Sequence, residues 1–486
     1  MSSNLSDADS LVVFRNSQGE EGRGTLIHLT RNLAVFEVYN PYSIVQLSEV
    51  VDDLRVIRGG RTVYSGRAVA SNIVATGLMI IVSATLVDPW SDLAGLTPGD
   101  GLREEVERFV DDWETSYSLQ PDYQVAVTNF SAFLSELSRW LEQAQVAAGL
   151  DEEDVSKELE QEFLGEITEP VAPRVRKLFY EFEDAANRIP DDQEVVHKAF
   201  ARRELHPLLM CAPFMHRTFE KPLGYAGDYE MVNMILRNRP EGRSLYAKLV
   251  NAVTLQMDAA EAHRNRIQML VDTFKEEVRR KLAKTRPVDV LCVGCGPARE
   301  VERFIREEPA CEKFRFNLLD FEERTLQYTR RRMAQAMKEK NRDVEINYLH
   351  KSIHQLLKEV ARQQKKSKKV KSSYDLVYCA GLFDYLSDRV CKKLVELFYQ
   401  WNRPDGLVVC TNVHPNNPDR HSMEHLLEWN LKYRDEGDMK ELAPDEGERD
   451  IELDPTGVNI FLKIRKSTND GREARSGAAE SVHRGG

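Results

Sequence analysis

The chain has 486 residues, 42% hydrophobic and 30% charged, with a formal net charge of −12. At roughly 100–200 residues per domain this length suggests two to four domains, and the composition excludes wholesale disorder. The negative balance argues against a nucleic-acid coat or a binder of anionic membranes, so no nucleic-acid partner is expected.

The opening MSSNLSDADS is polar and acidic, which predicts no signal peptide. The most apolar stretch, 72–87, contains Asn, Thr, Gly and Ser and falls short of a transmembrane segment. Seven cysteines, at 211, 292, 295, 311, 379, 391 and 410, are odd in number and lie mostly in apolar runs. They read as the reduced core thiols of a cytoplasmic protein.

Along 1–90, the segments Leu11–Phe14, Gly24–Leu29, Ala34–Tyr39, Thr62–Ser71 and Gly77–Val87 are rich in β-branched and aromatic residues. Turn-forming residues separate several of them, so a small antiparallel β-barrel or sandwich is predicted. From Asp92 to about Lys284 the pattern is helical. Phe133, Leu134, Leu137, Trp140 and Leu141 mark one helix face. Residues 91–170 hold 20 Asp/Glu against 4 Lys/Arg, a net of −16. Solvated helical faces are the plain reading; a protein partner docking on these acidic helices or on the barrel is the alternative. We divide this stretch into an acidic helical region (91–200) and a helical lid or substrate region (201–284).

Over 285–466, apolar runs at Val288–Val293, Phe314–Leu319, Glu345–Leu349, Tyr374–Cys379 and Gly406–Asn412 alternate with helical patterns. Such alternation predicts a parallel sheet wrapped by helices. Glu452–Leu453 and Asn459–Ile464 add edge strands, and the polar tail 467–486 is expected to be disordered.

The chemistry concentrates in VDVLCVGCGPARE (288–300), a buried strand that turns through Gly294, Cys295 and Gly296 into a helix. Glycine is needed where the backbone turns tightly and a ligand approaches, and the helix start offers unpaired N–H groups. Asp320, 24 residues after Gly296, ends the second strand where a carboxylate can accept ribose hydroxyls. Glu323 follows three residues later, so Asp320 also fits a helix N-cap. The turn lacks the third glycine of a dinucleotide fingerprint.

The turn VGCGPA resembles motif I of class I S-adenosylmethionine-dependent methyltransferases. That resemblance implies a Rossmann-like α/β domain with a mostly parallel seven-stranded sheet, and S-adenosylmethionine as cofactor. Cys292 stands where an acidic residue is common and Ala298 where a glycine is; Glu300 is the substitute carboxylate. NYLHKSI (347–353) resembles the strand end flanking adenine, YDLVYCAGLFDY (374–385) resembles motif IV, and PDGLVVCTN (404–412) the fifth strand. The implied cofactor set is Gly294, Cys295, Gly296, Glu300, Asp320, Phe321, Ser352, Ile353, Ala380 and Gly381, with Asp228 from a lid.

Two further segments, FEKPLGYAGDYE (219–230) and NVHPNNPDR (412–420), together with GLFDYL (381–386), resemble a bacterial family of extracellular-factor, 3-hydroxypalmitic acid methyl ester, biosynthesis proteins. Residues 23–38 resemble a divergent PilZ-type barrel. Residues 29–34 read LTRNLA, without the D/N-x-S-x-x-G signature of cyclic di-GMP binders, so a structural or partner-docking role is expected of it. The resemblance implies methylation of a 3-hydroxy fatty acid carboxyl to give a methyl ester signal. A carboxylate is already ionised at pH 7 and needs orienting donors instead of a strong base. Tyr225, His414 and Arg420 are the catalytic candidates; an alcohol or amine acceptor would instead need a base such as His414 or Asp384.

Plainer roles stand beside each: a turn at 224–228, a strand end at His414, and an ion pair between Arg420 and Glu424. The basic run 365–371 reads as a solubilising loop, and the cluster 262–266 either neutralises acidic neighbours or lines the acceptor site. No metal is expected, because Cys292 and Cys295 lack a second ligand pair at zinc spacing. The rival readings are a methyltransferase acting on protein or another small molecule, and a cofactor-sensing scaffold.

Overall fold

The computed structural model describes residues 10–39, 45–58, 61–76, 79–88, 90, 102–116, 118–150, 157–281, 286–365 and 373–468; the predicted disordered tail and the basic run fall almost wholly outside them. Its contacts group into two compact units. Unit 1 comprises Met1–Tyr39, Ser48–Glu261 and Pro418–Asn430; unit 2 comprises Asn40–Leu47, Ala262–Asn417 and Leu431–Gly486.

Unit 1 begins with β1 (Leu11–Arg15), β2 (Glu21–Leu29), β3 (Leu33–Tyr39), β4 (Val50–Arg58), β5 (Arg61–Thr76) and β6 (Met79–Leu86). These close into an antiparallel barrel in the order β1-β2-β3-β6-β5-β4, with β4 returning to β1. Phe14 and Phe36 meet inside with ring centroids 5.6 Å apart. A Cβ on Gly22 would lie 2.2 Å from the Phe14 ring, so only glycine lets that ring lie flat against β2. The sequence reading omits β4. Its segment VVDDLRVIR carries a register shift between Val51 and Leu54, which puts Val50, Val51, Leu54 and Val56 all inside and breaks the alternation.

The helices that follow are α1 (Leu102–Ser116), α2 (Pro121–Ala147), α3 (Lys157–Ala186), α4 (Glu194–Leu209), α5 (Pro213–Glu220), α6 (Tyr229–Arg237), α7 (Leu245–Thr254) and α8 (Asp258–Lys281), the last belonging mostly to unit 2. The buried stripe of α2 is Tyr123, Val127, Phe130, Leu134, Leu137 and Leu141. Trp140, expected on that face, is 54% exposed because it sits a quarter turn or so off the stripe.

Unit 2 continues with β7 (Val288–Val293), α9 (Arg299–Glu307), β8 (Phe314–Asp320), α10 (Glu323–Lys340), β9 (Glu345–His350), α11 (Ile353–Lys365), β10 (Tyr374–Cys379), α12 (Asp388–Trp401) and β11 (Asn402–Val413). Then come α13 (Arg420–Leu427), which groups with unit 1, α14 (Glu436–Leu442), β12 (Glu448–Leu453) and β13 (Asn459–Arg465). The sheet order is β9-β8-β7-β10-β11-β13-β12. The first five strands are parallel, and β13 runs antiparallel to both β11 and β12. The domain is Rossmann-like with a mixed sheet; of the expected edge pair, only β12 forms the edge.

β7 lies central and is buried at every position. Near the amino ends of the strands, Asp375 accepts from Arg286 through both oxygens (2.6 and 2.7 Å) and from Arg403 (2.7 Å). Burial alone would raise its pKa, but these cations win and hold it at about 2. Among the described residues no helix is long and apolar enough to cross a membrane.

Candidate cofactor site

The carboxyl ends of β7, β8 and β10 build the site. Past Val293 the chain turns through Gly294 and Gly296, both left-handed with φ of 70° and 51°. The Gly294 and Cys295 N–H groups each donate to the Leu319 carbonyl at 2.9 Å, and the Thr329 hydroxyl donates to the Gly296 carbonyl at 3.0 Å. The turn is therefore held by β8 on one side and α10 on the other. A Cβ on Gly296 would meet nothing within 4 Å, so open space lies beside it. Ala298 caps α9 with φ 45°, a conformation costing an L-residue about 1 kcal/mol.

Asp320 is buried at the end of β8. Its Oδ2 accepts the Gly296 N–H at 2.8 Å and its Oδ1 accepts the Glu322 N–H at 3.0 Å. Burial raises its pKa above the usual carboxylate value, and these backbone donors pull it partly back. Asp320 does not cap α10; Glu322 does, accepting from the Arg324 N–H at 3.0 Å. The neighbouring Phe321 carbonyl accepts from His350 Nε2 at 2.8 Å.

Glu300, in the first turn of α9, is 7% exposed and accepts from the Tyr378 hydroxyl at 2.7 Å. Tyr378 lies opposite Cys292 on the adjoining strand, so the Glu300 carboxylate comes close to the end of β7. Burial pushes Glu300 up, and the Tyr378 bond opposes it. Burial also pushes the Cys292 and Cys295 thiols well up. All seven cysteines are free, and all but Cys211 are buried, as expected of core thiols.

Beyond β10, Ala380 packs against the core, and Gly381 (φ 92°) donates its N–H to Thr411 Oγ1 at 3.1 Å. The Arg266 guanidinium lies over Gly381, 3.1 to 3.3 Å from where a Cβ would be. Ser352 and Ile353 take structural positions: Ser352 exchanges hydrogen bonds with Gln355 at the start of α11, and Ile353 enters the core. The loop after β10 is fixed by Asp384, which accepts the Val413 N–H at 2.7 Å, and by Arg434, a residue the sequence reading missed. Arg434 carries no motif; only its fold neighbours reveal it.

Of the catalytic candidates, His414 lies in unit 2. Its Nδ1 accepts the Asn416 N–H at 3.1 Å, which leaves the proton on Nε2, facing Glu436 at 3.3 Å. Tyr225, Asp228 and Arg420 lie in unit 1. Tyr225 is half-buried in the turn between α5 and α6, which is pinned by the Val50 N–H donating to the Gly224 carbonyl at 2.8 Å. Asp228 caps α6 through the Glu230 and Met231 N–H groups and is held by Arg217 at 2.7 and 3.0 Å. Arg420 opens α13 and pairs with Glu424 at 3.0 Å.

That helix is clamped at both ends within unit 1. Glu183 accepts the His421 and Ser422 N–H groups at 2.8 and 2.6 Å. At the far end Arg202, His206 and Lys221 take the carbonyls of His425, Leu426 and Leu427 at 2.7, 2.8 and 2.7 Å. Glu183 at the start and the Arg202 cation at the end complement the helix dipole. Among the described residues no group of three or more His, Cys, Asp or Glu is arranged to hold a metal ion.

No protein-family model matches the chain, and a search of curated proteins gave no significant match. Solved structures are similar to about half of it. A possible exported protein from Bordetella parapertussis shares 18% identity over 52% of this chain and 86% of its own, with a TM-score of 0.40. Magnesium protoporphyrin IX methyltransferase from Synechocystis PCC 6803, with bound S-adenosylhomocysteine, shares 9% over 48% and 93%, with a TM-score of 0.32. Human N-acetylserotonin methyltransferase, in complex with S-adenosylmethionine, shares 14% over 49% and 66%, with a TM-score of 0.27.

Proposed function

We propose that unit 2 binds S-adenosylmethionine at the carboxyl ends of β7, β8 and β10, and that the protein is a methyltransferase whose acceptor is the carboxyl of a 3-hydroxy fatty acid. The observation that carries this reading is the Asp320–Gly296 hydrogen bond, which joins a buried carboxylate to a glycine turn with open space beside it. These residues fit the cofactor. The two Asp320 oxygens accept the Gly296, Glu322 and Phe321 N–H groups and still keep lone-pair capacity for a ribose hydroxyl, and the start of α9 faces the same turn. The cofactor would supply an electrophilic methyl group.

The fatty-acyl acceptor and methyl ester product rest on the sequence resemblance. One observation favours a carboxylate over an alcohol or amine: both ring nitrogens of His414 are engaged, so it is poorly disposed to act as a base. Tyr225, His414 and Arg420 remain proposed orienting groups. We read 1–90 as PilZ-like, and we assign the acidic helices or the barrel to a protein partner and the protein to the cytoplasm. The test is release of S-adenosylhomocysteine from S-adenosylmethionine with 3-hydroxy fatty acids, amines or a protein substrate. Methyl ester formation is the expected result. Turnover confined to amines or protein would replace the acceptor, and binding without turnover would favour a sensing role.

A further inference from the structure

Arg266 on α8 is 7% exposed, yet among the described residues its guanidinium makes one hydrogen bond, from Nη2 to His263 Nε2 at 2.5 Å. His263 accepts that bond, so its ring proton sits on Nδ1. Burial, with Arg266 and Arg264 alongside, keeps the ring neutral. The bond therefore leaves the arginine charge unbalanced. Asp384 and Glu300 stand near enough to favour that charge. Their own hydrogen bonds go elsewhere, Asp384 to the Val413 N–H and Glu300 to the Tyr378 hydroxyl. Gly381, with φ 92°, keeps clear the space that the guanidinium occupies.

A guanidinium has five donors, and none of the Arg266 nitrogens is both fully buried and unpartnered, so its unused donors open onto accessible space where an anion can reach them. Its planar fork matches a carboxylate with two parallel bonds. We propose that Arg266 receives a carboxylate at the carboxyl end of β10. This rests on the cofactor reading above. Two sources supply that chemistry: the amino-acid end of the methyl donor, whose ammonium the nearby acids would favour, and the acceptor itself.

The test is calorimetric titration of S-adenosylhomocysteine and of 5′-methylthioadenosine, which lacks the amino-acid end, into wild type, Arg266→Gln and Arg266→Lys. If the carboxylate is the donor's, R266Q weakens S-adenosylhomocysteine by about tenfold or more, R266K recovers part, and 5′-methylthioadenosine changes by less than about twofold. If it is the acceptor's, both nucleosides bind all three proteins alike. R266Q then weakens 3-hydroxydecanoate, but not 1,3-decanediol, by about tenfold. Equal weakening of both nucleosides, or no change with any probe, overturns the proposal while leaving the cofactor reading standing. Wild type that binds neither nucleoside overturns both. If R266Q fails to fold, R266K decides alone, with a loss of about threefold or more expected for the carboxylate-bearing probe only.

Discussion

The Tyr378 hydroxyl donates to Glu300 Oε1 at 2.7 Å, joining the carboxyl end of β10 to the first turn of α9. Tyr378→Phe removes a partner from a buried carboxylate, at an expected cost of about 1–3 kcal/mol in urea unfolding. The folded pKa of Glu300 is already raised by burial, so its ionisation opposes folding as pH climbs above the unfolded carboxylate value. The variant's deficit should therefore be larger at alkaline than at acid pH. An unchanged midpoint at both would refute the account of this pair.

Arg434, 1% exposed, donates to the Phe383 and Leu386 carbonyls at 2.8 and 2.6 Å, to Asn412 Oδ1 at 2.6 Å and to Asp388 at 2.9 Å. It ties the loop after β10 to the end of β11. Arg434→Ala is expected to cost about 3–5 kcal/mol, and lysine should not restore it, having no fork. Thermal melting with limited proteolysis checks this; a fully stable R434K would contradict it.

At the start of α13, burial raises Glu183 from 4.5 to about 7, against hydrogen bonds from Ser422 and His421. A raised carboxylate favours the folded state at low pH and loses that advantage as pH rises from about 4.5 through about 7. Glu183→Gln removes the titration. Relative to wild type it should gain up to about 3 kcal/mol between pH 5 and 7.5. Urea midpoints of the two proteins at both pH values give the difference, and a constant difference counts against the assignment.

Gly296→Val separates folding from binding. At φ 51° a β-branched side chain costs about 2 kcal/mol of backbone strain, while nothing within 4 Å obstructs its Cβ. The protein should melt slightly earlier while its affinity for S-adenosylmethionine falls by about tenfold or more. Affinity equal to wild type would show that the open space beside Gly296 is not used.

What the sequence revealed is mostly local. β7, β10 and most of β11 were legible because buried parallel strands are continuous apolar runs, the edge strand β9 because Ile346 and Tyr348 alternate with polar residues, and the glycine turn because strand, turn and helix follow one another directly. β4 was illegible because its bulge puts two inward pairs out of step. Trp140 misled because a short window overstates the width of a helix face. The α13 clamp lay beyond reach for another reason: Arg202, His206 and Lys221 meet carbonyls 206 to 223 residues away along the chain. Asp228 illustrates the reverse. Its residue type suggested a ligand, while its helix cap and its arginine partner show only in the packing.

The most direct test of the central claim is calorimetric titration of S-adenosylmethionine into wild type and Asp320→Ala, with thermal melting to confirm that both are folded. The account predicts micromolar binding to wild type, weakened by about tenfold (about 1.4 kcal/mol) or more in the variant. Equal affinity in the two proteins, or no binding to folded wild type, would contradict it.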